Sequence, residues 1–242
     1  MFMILIFDIW FLATIAVSAK IAEFLGKNLF KQPLQFYSAT PLIIFAVGYY
    51  IILVLIYSFF KYFVLNYLKR MFIKVKTDIR IFGSFFLLNL IIAITLFVIF
   101  IALNGVLLLN VKKEVAPYIF LLILVPFIFF FYAIINIAHS LFINLINTKE
   151  VLRKTIKITF TNIKSYAGIY LSSIIIFAIY YFVYYTVSLA LKNTSSYIVY
   201  YSIYLKIFIV LTGIVLYIVI FFNRIYFYLI IIKITRKRLI RP

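Results

Sequence analysis

The sequence has no cysteine, one histidine and five acidic residues among 242. Without cysteine there are no disulfides, no thiol nucleophile, no zinc-thiolate site and no iron–sulfur cluster. A single histidine cannot build a multi-histidine metal site, and the scattered acids cannot bridge a pair of metal ions. Neither a metal nor another cofactor is expected. The HExxH, GxSxG, GxxxxGK[ST] and GxGxxG patterns are all missing, so the chain reads as non-enzymatic. Charge is also scarce, at 12% of residues against 68% hydrophobic. Soluble domains carry about a quarter charged residues, so a water-soluble globule is excluded.

What is present is a series of long apolar runs, at residues 2–19, 41–68, 81–109, 115–146, 165–191 and 197–232. A helix crosses the bilayer core in about 20 residues, and each run is at or above that scale. A membrane barrel would show alternating segments of about ten residues, which these are not. The expectation is an all-α, polytopic transmembrane helical bundle of about six spans forming a single integral membrane domain. Residues 1–19 read as a retained span, because no basic segment precedes them as in a signal peptide. Pro126 predicts a kink in the fourth span.

Lysine and arginine set the orientation. Between the second and third spans lie Lys69, Arg70, Lys74, Lys76 and Arg80; between the fourth and fifth, Lys149, Arg153, Lys154, Lys157 and Lys164; in the tail, Lys233, Arg236, Lys237, Arg238 and Arg241. These fifteen face six on the other side: Lys20, Lys27, Lys31, Lys112, Lys113 and Lys192. The expectation is a multi-pass cell-membrane protein with both termini cytoplasmic. In the long last run, Lys206 and Arg224 are 18 positions apart, about 27 Å along a helix, so each is expected to anchor at its own interface. Tyr197, Tyr200, Tyr201 and Tyr204, with Tyr180, Tyr181, Tyr184 and Tyr185, predict an outer aromatic belt.

Two loops on the basic side are amphipathic. From Lys149 to Lys164, Leu152, Ile156, Phe160 and Ile163 recur at helical spacing opposite Glu150, Arg153, Lys154, Lys157, Thr161 and Lys164. From Leu68 to Phe82, Leu68, Phe72, Val75 and Ile79 oppose Lys69, Arg70, Lys74 and Asp78. Both predict cytoplasmic helices lying in the headgroup plane. The spacing of Lys20, Glu23, Lys27 and Lys31 suggests a third such helix, which this topology leaves outside. Lys69, Arg70, Lys74, Arg153, Lys154, Lys157 and Lys164 are the candidate contacts to anionic lipid or to a protein partner. Attraction to anionic lipid is about 1 kcal/mol per basic residue; the competing reading is that these residues only set topology. A partner subunit or homo-oligomer fits the same faces, whereas nucleic acid does not, since no folded basic module is present. DIRIFGSF (Asp78–Phe85) and NIKSYAGIY (Asn162–Tyr170) share a local pattern, pointing to a repeated unit of span, basic helix and span.

NTKEVLRKTIKITFTNIKSYAGIYLSSIIIF, Asn147 to Phe177, resembles the six-span membrane domain of some glycerophosphodiester phosphodiesterase-type proteins, and KNLFKQPLQFYSATPLII, Lys27 to Ile44, is similar to that family's entry helix. The resemblance covers about residues 20 to 232. It implies a helical membrane domain, and no hydrolase residue of the family has a counterpart here. It also implies a cytoplasmic entry helix, against the topology above.

Polar groups inside the spans are functional candidates by default. Asp8, Asn89, Asn136, His139, Ser140, Ser172 and Ser173 fall at broadly similar depths and form a candidate intramembrane cluster. Asp8 and His139 can be read as a proton or polar-substrate site, since a carboxylate beside an imidazole shares a proton near neutral pH. The same Asn and Ser residues can be read as interhelical hydrogen bonds. Gly168 and Ser172 form a small-xxx-small pair suited to close helix approach. The favoured function is a membrane scaffold or accessory subunit. The alternative is an ABC-type permease subunit that needs a separate ATPase.

Overall fold

Within a bilayer the backbone of an apolar run must satisfy its own hydrogen bonds, and a helix does so without a partner segment. In the computed structural model, residues 2–29, 39–72, 79–112, 115–145, 147–192 and 197–239 are described, and among them the chain is helical with no strand. The elements are α1 (Phe2–Leu29), α2 (Ala39–Phe72), α3 (Phe82–Asn110), α4 (Ala116–Leu145), α5 (Thr148–Thr161), α6 (Ile163–Lys192) and α7 (Tyr197–Leu239). All but α5 are long and apolar enough to cross a membrane. The protein is an all-α, polytopic membrane protein.

Two boundaries differ from the sequence expectation. α1 runs unbroken to Leu29, so Lys20 and Glu23 extend the first span and do not begin a separate surface helix. No glycine or proline interrupts Ala19 to Leu25, and Lys20 meets Glu23 one turn on at 3.8 Å, which supports continuation. Lys31 lies outside the described residues. Likewise α2 continues to Phe72, so Lys69 and Arg70 occupy its last turn. Lys74 and the rest of 73–78 lie outside the described residues, and a 3-10 turn at Ile79–Ile81 leads into α3. Pro126 sits inside α4 without ending it.

The chain divides into two compact units, Met1–Ile156 and Lys157–Pro242. In the first, α2 packs on α1, α3 and α4. Its core is built on Tyr62, Phe85, Leu88, Ile137, Leu141 and Phe142, all fully buried. Phe85 meets Tyr62 at 5.6 Å and Phe142 at 5.2 Å between ring centres, distances at which tilted rings attract. α1 is held on α2 by Phe7 stacked on Phe63 at 5.7 Å, and by Phe11 against Tyr57 and Phe60.

The second unit contains the hairpin of α6 and α7. α7 is 43 residues long, about 64 Å at the helical rise and twice the hydrocarbon thickness. Near the turn, Tyr184 stacks on Tyr204 at 5.6 Å and on Phe208 at 4.0 Å. The Tyr204 hydroxyl donates to the Tyr184 carbonyl at 2.9 Å, and the Tyr180 hydroxyl lies 2.9 Å from that of Thr212. Tyr180, Tyr184 and Tyr204 seal the two helices together, while Tyr181 and Tyr185 are exposed. Hydroxyls drawn into a helix seam need partners, and the facing backbone supplies them for Tyr180 and Tyr204. The side chains of Tyr197 and Tyr200 lie outside the described residues.

Candidate functional site

The polar centre of the first unit is a chain of three side chains on three helices: Ser58 of α2, Asn89 of α3 and His139 of α4. All are buried, His139 and Ser58 completely. The Ser58 hydroxyl donates to the Val54 carbonyl at 2.6 Å. Having spent its one proton there, it can only accept from Asn89 Nδ2 at 3.0 Å. That orients the amide so that Oδ1 faces His139 Nε2 at 2.6 Å. An amide oxygen carries no proton, so Nε2 must be the protonated nitrogen. The imidazole also packs between Tyr57 and Phe85, at 6.0 and 5.1 Å. The arrangement fixes one tautomer in an apolar cage.

Of the expected cluster, Asn89 and His139 are thus brought together. Asn136 and Ser140 are close along α4 but use their bonds within it: Asn136 Nδ2 donates to the Tyr132 carbonyl, Ser140 Oγ to that of Asn136 and Asn144 Nδ2 to that of Ser140, at 2.7 to 2.8 Å. These are bonds inside one helix, not between helices. Asp8 is half-buried on α1, one turn beyond the fully buried Ile4. Ser172 and Ser173 belong to the second unit. Both hydroxyls donate back to the Ile169 carbonyl, and Ser173 accepts from Asn223 Nδ2 at 3.3 Å.

Sequence reasoning missed Ser58 and Lys61. Serine carries no hydropathy signal strong enough to stand out in α2. Lys61 was legible, being the single basic residue left over after the loops, Lys206 and Arg224 are counted, and it is only 8% exposed. Next to this centre a cavity of about 190 Å³ is lined by Val54, Tyr57, Asn89 and Ile135 among others. It shares Leu96 and Ile135 with a larger aromatic one of about 420 Å³ that reaches Tyr50 and Phe131.

The second candidate is α5. Asn147 Oδ1 accepts from the backbone amides of Lys149 and Glu150, at 3.1 and 3.4 Å, which caps the helix start. Asn162 separates α5 from α6. Val151, Thr155, Ile158 and Thr159 form its buried face, whereas Ile156 and Phe160 are 58% and 60% exposed. Arg153, Lys157 and Lys164 are exposed beside them. Lys154 is committed to Glu150 at 2.6 Å; that hydrogen bond and the ammonium charge hold the Glu150 carboxyl below its usual range. Lys69 is likewise committed, its Nζ donating to the Ile143 carbonyl at 2.7 Å, while Arg70 is exposed. In α7, Lys206 is exposed and Arg224 half-buried.

Comparison with protein-family models, curated proteins and solved structures finds no significant match for this chain.

Proposed function

We propose that this chain is a non-enzymatic scaffold or accessory subunit of the cell membrane, and that α5 lies in the cytoplasmic headgroup layer and binds anionic lipid. The observation that carries this is the exposed strip of α5. Ile156 and Phe160 are apolar and uncovered, and Arg153, Lys157 and Lys164 flank them. A free amphipathic helix of this kind buries its apolar strip among acyl chains and its cations among phosphates. With six crossings both termini fall on the side of α5, and the excess of basic residues there supports reading that side as cytoplasmic. The resemblance to the glycerophosphodiester phosphodiesterase-type membrane domain fits the same reading, as a membrane domain without hydrolase residues.

A permease subunit is the second reading, since a short helix between two spans also suits docking by a separate ATPase. One experiment separates the two. The full chain is extracted in mild detergent, and its retained lipids and co-purifying proteins are identified by mass spectrometry. Retained anionic lipid that is lost from an R153Q/K157Q/K164Q variant supports the scaffold reading. At about 1 kcal/mol per cation, the three together are worth roughly a hundredfold in lipid affinity. A stoichiometric ATPase released by the same variant supports the permease reading, and lipid retention unchanged by it overturns the role of α5.

A further inference from the structure

The aromatic contacts between α1 and α2 fix a register. Phe7 faces Phe63, and Phe11 faces Tyr57 and Phe60. As α1 ascends by four residues its partners descend by three to six, so the helices are antiparallel with paired numbers summing to about 70. Ile4 then falls level with Leu65, and both are buried. One turn further along each helix, on those same two faces, come Asp8 and Lys61.

Both residues lie within membrane-spanning stretches, neither is without a partner, and Lys61 is almost wholly buried. An ammonium inside an apolar span is held only by an opposite charge or by backbone carbonyls. Acids are few in this chain, and Asp8 is the one that the α1–α2 register puts at this depth. We propose that Asp8 and Lys61 form an intramembrane ion pair that fastens α1 to α2. The pair stands beside the polar centre already described, because Lys61 is one turn from Ser58 on α2, and Tyr57 touches both Phe11 and His139. Asp8 on this view is a counter-ion to lysine and not a proton acceptor for His139, whose Nε2 is taken by Asn89.

The test uses the full chain, which has no cysteine of its own. D8C/K61C removes both charges together, and in native membranes a short bifunctional methanethiosulfonate, which replaces the reach of the lost lysine side chain, should bridge the two thiols, read as a mobility shift reversed by reductant. Separately, D8N and K61Q each leave one buried charge unpaired and should lower the monodisperse yield in detergent several-fold. The exchange D8K/K61D should recover most of that yield. A folded D8C/K61C chain that does not cross-link overturns the pairing, as does an exchange variant no better than the two single ones.

Discussion

Asn89 is the residue on which the polar centre turns, because its amide bonds to both Ser58 and His139. Replacing it with alanine strands an imidazole N–H in an apolar cage and removes two interhelical bonds. Bonds between membrane helices average about 0.6 kcal/mol, whereas a stranded buried donor costs about 1 to 3 kcal/mol. Asn89→Ala is therefore expected to cost about 2 kcal/mol, seen as a lower unfolding temperature in detergent, and Ser58→Ala less, because it removes one interhelical bond and one bond within α2 and leaves the Asn89–His139 bond in place. Equal and negligible effects would mean that the chain of bonds does not hold the helices together. Gly168 leads to the opposite expectation. A methyl group there would meet the Tyr226 hydroxyl at 3.8 Å, an ordinary contact. Gly168→Ala should thus be neutral or stabilise α6 by about 0.5 to 1 kcal/mol, since glycine is the poorer helix former. A marked loss of folded protein would show that a helix approaches Gly168 closely after all.

At the scale of the element, α5 behaves as a helix with its own start and stop. Its first turn depends on Asn147, and Asn147→Ala should weaken the helix by about 1 kcal/mol, measurable as faster amide exchange over Thr148 to Thr161. The next turn depends on Glu150 and Lys154. The folded Glu150 carboxyl is more acidic than an unfolded one. Its contribution is therefore complete above the ordinary carboxylate pKa and is lost as pH falls through the lowered folded value. Exchange in α5 should accelerate over that acidic window in the native chain and show no such step in Glu150→Gln. Salt should blunt the effect, because the carboxylate is open to solvent. The amphipathic pattern of α5 was legible in the sequence, since Ile156 and Phe160 do form an uncovered strip. Its protein-facing side was not, because two of the four buried residues there are threonines, which hydropathy scores as neutral. The ends of α1 and α2 were misplaced for a related reason. Lysine marks a boundary in hydropathy, yet it is a good helix former, and a helix leaves the membrane without having to stop.

For the whole molecule, the six spans were legible because apolar length is a one-dimensional property, whereas the division into two units and the partners of Asp8, Ser58 and Lys61 depend on which faces meet in space. Topology can be tested without knowing those partners. If all six helices cross, the two termini and α5 lie on one side, with Lys112 and Lys192 on the other. Single cysteines placed at Lys157, Lys233, Lys112 and Lys192 meet no background, since the chain has no other thiol. In intact cells a membrane-impermeant maleimide should label positions 112 and 192 and leave 157 and 233 unlabelled until the membrane is opened. Labelling of 157 and 233 in intact cells would invert the protein, placing its fifteen basic loop and tail residues outside and removing the anionic cytoplasmic leaflet as the surface that α5 meets. If 112 and 192 label on opposite sides of the membrane, α4 or α6, the two spans between them, does not cross. α6 would be the first to examine, because its most apolar stretch contains no buried residue to keep it in place.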